Sequence, residues 1–544
     1  MRIGPPLYIR GKAHNETGDG WGTLFEWSDP KGTPKRHVIH WKMMSGSYQG
    51  WSGELADRGW FPDPEGKKWL DKYVAACDPG HWCTTTPRTG WIKGRFVFPD
   101  TVLGDSDGEE VFFIGNMHPN PYQTHGTLQG WQDTIGTWSG GNNRLVFMLS
   151  AAFAPILFDL LRLSESFIFN YVGDSSIGKS ITTAAAGSVW GKGDLSSDGY
   201  ILTWRSTDNG LEGEAMRHND TVLCLDEMAL AAPDLVATGA YMIAAGKGKL
   251  RSKQDGSAAV PNSWRCVGLS SNEEPLTEVL AAHGIKVKAG QTVRIVDIPA
   301  DAGADMGLFE DLHGHDSSGD FAKALSAAAI TNYGHASRAF IKKIQEDPEW
   351  VADWVRHYME KKKPTLYADH VDPQVQRVAD KFLLCAAAGR LAAGWKIVPW
   401  EKGEALEAAQ ACFRAWIRHR GGIGGFDDME AKKLLLSFLE QHEGRFQPLR
   451  DAQDGKDASK YGNLAGFKKK LKNGTVYYIL PETFREEVYR GMNYRRAAEG
   501  LVACGLMMRE KKGYTRHLPV ELPGLGRVHC FIIVIKHEDD QETD

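Results

Sequence analysis

Gly173-Asp174-Ser175-Ser176-Ile177-Gly178-Lys179-Ser180 follows the apolar run Phe167-Ile168-Phe169-Asn170-Tyr171-Val172 and precedes the helix-forming stretch Ile181-Thr182-Thr183-Ala184-Ala185-Ala186. A buried strand, a Gly-rich turn and a helix start, in that order, make a phosphate-binding loop. Its glycines let backbone N–H groups curl around phosphates, and the helix N-terminus adds its positive end. Lys179 then reaches the β- and γ-phosphates, and the Ser180 hydroxyl falls where it can ligate Mg2+. The reading implies ATP as the nucleotide and Mg2+ as its metal.

Downstream, Thr221-Val222-Leu223-Cys224-Leu225-Asp226-Glu227 is an apolar, β-rich run ending in two acids. An all-apolar strand is what a parallel sheet covered on both faces requires. Asp226 is the candidate for holding the metal through water, and Glu227 for orienting and deprotonating the attacking water. Trp264 to Asn272 reads as a further buried strand with a polar end. In P-loop ATPases of the AAA+ type a polar side chain there helps hold water against the γ-phosphate. Asn272 is the candidate, with Ser271 in reserve. Gln291 to Pro299 is one more strand with Arg294 at its start, placed like the arginine that reaches a neighbouring subunit's γ-phosphate.

Between the acid strand and the Asn272 strand stand a helix, Pro233 to Ala244, and the run Gly246-Lys247-Gly248-Lys249-Leu250-Arg251-Ser252-Lys253. Lys249, Arg251 and Lys253 alternate, so in a hairpin they share one face. Together with Lys247 they form a row suited to nucleic-acid phosphates; a solvated charged loop is the plain alternative. Trp204 to Glu212 leads into a helix, with Asp208 or Asn209 as its N-cap and no evident chemical role.

The rest of the chain supports a multidomain α/β protein. Residues 1–130, rich in Trp and Gly with short alternating runs, predict a β-rich N-terminal domain of small antiparallel sheets. A helix at Lys67 to Ala76 and a hairpin around Lys93-Gly94 fall within it, and its tryptophans are read as core rather than as a nucleic-acid surface. Residues 131–305 hold the P-loop ATPase core. Helical segments over 306–420 form a lid in which Arg377 is the candidate nucleotide sensor. Residues 421–544 follow the Gly-rich hinge Gly421 to Gly425; helices near 427–441, 460–472 and 482–489 with strands near 505–516 and 527–536 suggest a winged helix. Lys468 to Lys470, Lys472, Arg495, Arg496, Lys511 and Lys512 make it basic enough for duplex DNA, a protein-docking winged helix being the plain alternative, and an acidic tail runs from Glu538.

The 544 residues suit about three or four domains of roughly 150 each. A net charge of −5 confines any nucleic-acid surface to local patches. The eight cysteines form no CxxC pair and read as reduced thiols. The first residues carry no secretory signal, and Val146 to Leu161 is too short to span a bilayer, so a soluble, cytoplasmic protein without membrane partners is expected.

With Arg88-Thr89-Gly90-Trp91, Tyr171 to Ser176, Trp204 to Gly213, Asp297 to Ala304 and Phe309 to Gly314 in view, the chain resembles a family of helicase-like AAA+ ATPases of prophages, plasmids and genomic islands. That family's conserved domain was catalogued as one of unknown function. It is similar, more distantly, to the MCM-like replicative helicases of staphylococcal cassette elements. The resemblance implies a ring, a hexamer, that translocates on single-stranded DNA in its pore beside a mobile element's origin. It assigns Lys179 and Ser180 to phosphate and Mg2+, Asp226 and Glu227 to metal and water, Asn272 to sensor 1 and Arg294 to the finger. The function expected is ATP-dependent DNA helicase or translocase. A protein remodeller or helicase loader, or an ATP-switched DNA-binding initiator, are the alternatives.

Overall fold

The computed structural model describes residues 3–45, 48–63, 66–105, 108–115, 119–251, 261–285, 289–367, 371–420, 422, 426–449, 463–490, 493–508, 518–522 and 525–536. Lys253, most of the Gly421 to Gly425 hinge, Lys511, Lys512 and the acidic tail lie outside them. The chain is a multidomain α/β protein of several sheets and many helices. It divides into two compact units, residues 1–368 with 378–416, and residues 369–377 with 417–544. No described helix is long and apolar enough to cross a membrane.

The first unit opens with β1 (Leu7–Asn15), β2 (Gly22–Ser28), β3 (Pro34–His40), β4 (Trp82–Thr86) and, later, β8 (Glu110–Phe113), in the order β3-β2-β1-β4-β8. The sheet is mixed rather than purely antiparallel, because β4 returns through helix Lys67–Ala76 to lie parallel to β1. Phe25, Trp27, Trp51 and Trp60 pack its core, while Trp41 and Trp82 are exposed.

Strands β5 (Gly90–Ile92), β6 (Arg95–Val97) and β7 (Val102–Leu103) form a second, three-stranded sheet, with the turn at Lys93-Gly94. The Arg88-Thr89-Gly90-Trp91 motif docks this sheet on the rest of the unit. Thr89 Oγ1 donates to the Arg217 carbonyl at 2.7 Å, the Trp91 N–H donates to Asp220 at 3.0 Å, and the Trp91 indole donates to the Ile156 carbonyl at 2.8 Å. Asp220 is wholly buried and is neutralised by Arg265. The motif is therefore structural cement.

At the centre of the unit stand β9 (Phe167–Val172), β10 (Leu202–Thr203), β11 (Val222–Asp226), β12 (Val267–Asn272) and β13 (Ile295–Pro299), in the order β10-β11-β12-β9-β13 and parallel throughout. β9, β11 and β12 are buried at every residue, as a sheet covered on both faces demands. Helix Asn143–Phe153, buried along nearly its whole length, packs on one face. It stops at Phe153, sooner than the apolar run, and the chain turns into a 3-10 segment at Pro155. Helices Ser318–Thr331, His335–Glu346 and Pro348–Lys362 follow β13 and belong to the same unit as the sheet.

The second unit contains β14 (Phe446–Pro448), β15 (Gly466–Leu471), β16 (Gly474–Ile479), β17 (Leu518–Leu522) and β18 (Gly526–Lys536), in the order β14-β15-β16-β18-β17. Helices Phe426–Gln441 and Tyr494–Ala503 pack against it around Leu435, Phe484, Leu501 and Phe531. The lysine run Lys468 to Lys470, expected on a helix, is in β15. Gly466 and Phe467 are buried beside Ile479 and Tyr478 of β16, and β-pairing wins over the helical propensity of three lysines.

Candidate active site

All five strands of the parallel sheet end together. Asn272 of β12 stands level with Val172 of β9 and Leu225 of β11 level with Ser270, so the loop after β9, the acids after β11 and the polar end of β12 share one edge. The loop after β9 turns through Ser176 (φ 64°) and Gly178 (φ 105°). A Cβ on Gly178 would lie 3.2 Å from the Phe309 ring, so glycine meets both the backbone angle and the close approach. Helix Lys179–Gly187 begins there with no side-chain cap. Its first N–H groups face the loop, which is the arrangement that receives anions.

Lys179 is buried, and its ammonium donates to the carbonyls of Gly173 at 2.7 Å and Asp174 at 2.6 Å. Burial lowers its pKa; the nearby carboxylates of Glu273, Asp174 and Asp226 oppose the shift. Ser180 Oγ donates to Asp226 Oδ1 at 3.2 Å. A second hydroxyl, Ser271 on β12, donates to the same oxygen and accepts the Glu227 N–H at 3.3 Å. A hydroxyl and a carboxylate at this separation are hard oxygen donors that fit Mg2+, which is commonly held by one or two carboxylates beside substrate phosphates. Glu227 is exposed and left-handed (φ 52°), a conformation uncommon for a side chain larger than Asn.

The two candidates at the end of β12 differ in what they touch. Asn272 is buried and its amide donates to the Glu274 carbonyl at 2.8 Å, whereas Ser271 reaches the acid. Alternation along a strand sends neighbours to opposite faces. Ser271, the reserve candidate, is thus the residue joined to both Asp226 and Glu227.

Arg294 stands at the other end of the sheet. Its carbonyl accepts the Ile168 N–H at 2.8 Å, and its guanidinium lies 5.4 Å from the Tyr241 ring centre, with Glu165 at 3.9 Å. Six strand residues at ~3.3 Å each separate this level from Gly173, roughly 20 Å. Arg294 is therefore out of reach of the loop of its own chain. Arg377 belongs to the second compact unit.

Lys247, Lys249 and Arg251 follow helix Pro233–Ala245 and its left-handed cap Gly246. Antiparallel contacts start a hairpin here, Lys247 bridging Ser263 and the Gly248 N–H donating to the Asn262 carbonyl at 2.8 Å. Lys249 and Arg251 do share one side, and that side faces helix Asp208–Arg217, where Lys249 pairs with Asp208 and Arg251 with Glu212. The helix is capped by Thr207, whose hydroxyl accepts the Gly210 N–H at 3.2 Å, and not by Asp208 or Asn209.

Several contributors lie in signature segments that carried no chemical role. The Trp204 N–H donates to the Asp226 carbonyl at 3.2 Å, and its indole donates to Ser270 Oγ at 2.9 Å. The segment after β13 wraps the loop: the Leu308 N–H donates to the Ile177 carbonyl at 3.0 Å, and Arg144 holds the carbonyls of Pro299 and Asp301 at 3.1 and 2.9 Å. The length of Asp297 to Ala304 and Phe309 to Gly314 as resemblance signatures was the available signal, without a role attached.

Residues 1–263 match the family described as "Domain of unknown function (DUF927)". A solved structure titled "SCCmec type IV Cch - active helicase" is similar over 98% of this chain and 94% of that one, at 14% identity and a TM-score of 0.73. The two chains share one fold. No curated protein matches the sequence.

Proposed function

We propose that the chain is an ATP-driven DNA helicase or translocase of a mobile element, an AAA+ ATPase working as a ring with ATP between subunits. The observation that carries this reading is the meeting, at one edge of a parallel sheet, of an uncapped Gly-rich loop, a buried lysine and a hydroxyl 3.2 Å from a carboxylate. The fold shared with a protein titled an active helicase supplies the DNA.

In this reading Gly173 to Gly178 present N–H groups to the phosphates, and Lys179 leaves its loop carbonyls for the phosphate oxygens. Ser180 and Asp226 would hold Mg2+, which would supply positive charge against the phosphates. Glu227 orients the attacking water, while Ser271 fixes the acid pair and Asn272 assists from the neighbouring strand. Arg294 stabilises charge at a neighbour's site, since about 20 Å separates it from its own loop at ~3.3 Å per residue.

The division into residues 1–130, 131–305, 306–420 and 421–544 is proposed with it, as β-rich module, AAA+ core, lid carrying Arg377 and winged-helix duplex binder. Helices Phe426–Gln441 and Tyr494–Ala503 with the β17–β18 hairpin supply the winged-helix parts, although the five-stranded sheet is larger than a wing. The basic arm after Gly246 faces the single strand.

Subunit mixing tests the shared site. Lys179→Ala and Arg294→Ala are each expected to hydrolyse ATP at about 0.1–1% of wild type, roughly the 10²–10³-fold loss of one charge-stabilising group. Mixed, they form interfaces that pair an intact Lys179 with an intact Arg294, and activity returns in part. No recovery on mixing, or normal hydrolysis by Arg294→Ala, refutes the arrangement.

A further inference from the structure

We infer that the basic arm after Gly246 divides its labour: Arg251 is a positioning residue locked to Glu212, while Lys247 and Lys249 are the cations offered to nucleic-acid phosphates. The inference rests on the proposed role of this arm in DNA contact and refines it.

The geometry around Glu212 separates the two kinds of cation. Arg251 Nη1 donates to Glu212 Oε1 at 2.7 Å and Nη2 to Oε2 at 2.8 Å, with Nη2 also 3.0 Å from Asn209 Oδ1. Asn262, on the returning side of the hairpin, donates to Glu212 Oε1 at 3.0 Å, and the Lys249 N–H lies 3.5 Å from Oε2. One carboxylate thus gathers both sides of the hairpin base. Its side chain is 2% exposed, against 46% for Arg251. The Arg251 bonds, foremost among its partners, hold the Glu212 pKa below the usual carboxylate range.

Drawing Arg251 away to a phosphate would leave that carboxylate buried and unpaired, among the most expensive states a side chain can enter. Lys249 is held differently: its partner Asp208 is 32% exposed and Lys249 itself 51%. Pairs of this kind contribute little in water, so a phosphate displaces Asp208 readily. Lys247 is exposed. A phosphate chain therefore competes for the lysines and leaves the arginine in place.

The lock also ties the arm to the nucleotide edge. Helix Asp208–Arg217, which carries Glu212, starts at Thr207, three residues after Trp204, whose N–H is bonded to the Asp226 carbonyl and whose indole is bonded to Ser270. A shift at Asp226 is carried through Trp204 and the helix to Glu212, and through Arg251 to the lysines.

The full chain carries the test, with one readout free of DNA. Limited trypsin digestion without DNA reads whether the arm is held. Glu212→Gln, which keeps shape and removes charge, is expected to speed cleavage after Lys247 and Lys249 about tenfold, since the open form becomes more populated. An unchanged cleavage rate overturns the lock whatever the ligand is. Salt-dependent binding of a fluorescent oligothymidylate then separates the cations. Lys247→Ala/Lys249→Ala lowers the salt slope by about 1.4, roughly 0.7 for each lost phosphate contact on a single strand. Arg251→Ala leaves the slope unchanged and DNA-free hydrolysis intact, yet abolishes stimulation by DNA; Arg251→Lys restores stimulation in part. A slope that falls as much for Arg251→Ala as for Lys249→Ala, or full stimulation in Arg251→Ala, contradicts the inference. A lysine double variant that binds DNA like wild type sinks the underlying DNA-contact reading instead.

Discussion

Replacing Asp297 by Asn isolates a single buried charge within the parallel sheet that carries the Gly-rich loop. Asp297 is buried on β13, where one carboxylate oxygen accepts from Asn170 Nδ2 at 2.7 Å and the other accepts the Leu276 N–H at 3.1 Å, at the start of helix Leu276–Ala282. Among the described residues no cation pairs with it, and burial pushes its pKa up from 3.8 to about 6. The folded protein therefore holds this proton more tightly than the unfolded chain does. The stabilisation is complete below about pH 4 and is lost as the pH rises through about 6. The displacement of about two pH units amounts to about 3 kcal/mol, at roughly 1.4 kcal/mol per unit. Asn keeps the acceptor for Leu276. The Asn170 Oδ1, buried without a partner, can accept from the new amide after a flip of Asn170. Urea melts of wild type and Asp297→Asn, compared at matched pH, cancel every other titrating group. The variant is expected to equal wild type near pH 4 and to exceed it by up to about 3 kcal/mol near pH 7. A difference that does not change with pH, or a variant less stable near pH 7, refutes the reasoning.

Other expectations follow from single contacts. Ser271→Ala removes the hydroxyl joining Asp226 to the Glu227 N–H, and hydrolysis is expected to fall roughly tenfold with nucleotide affinity unchanged, measured by steady-state turnover and a fluorescent-nucleotide titration. Gly90→Ala places a Cβ 2.6 Å from Asp220 Oδ2 at φ +99°, so the melting temperature falls although no catalytic group is touched. Arg265→Met strands the buried Asp220 carboxylate and is expected to cost about 3–5 kcal/mol in a urea melt, whereas Arg265→Met/Asp220→Asn recovers much of it.

Some of this was legible in the residues and some was not, for physical reasons. The loop, both acids and the strands that carry them could be read because a mostly apolar run followed by Gly-x-x-x-x-Gly-Lys-Ser satisfies few other structures. Arg294 was legible as a strand-start arginine, while its partner Tyr241 came from a helix far away in sequence. Ser271 and Asn272 were adjacent polar residues between which composition cannot choose, and strand alternation decides their faces only once the register is fixed. The alternation of Lys249 and Arg251 was read rightly as one face, but the carboxylates opposite lie about 40 positions earlier, in a segment that carried no motif chemistry. In the second unit, Lys468 to Lys470 favoured a helix locally and pairing with β16 overrode it.

Steady-state ATP hydrolysis by the purified chain, with and without single-stranded DNA and beside a forked-duplex unwinding assay, tests the central claim most directly, with Lys179→Ala as the control. The account predicts hydrolysis that DNA stimulates and unwinding that needs ATP, both lost in Lys179→Ala. Hydrolysis indifferent to DNA with no unwinding contradicts it and turns the search to a protein substrate.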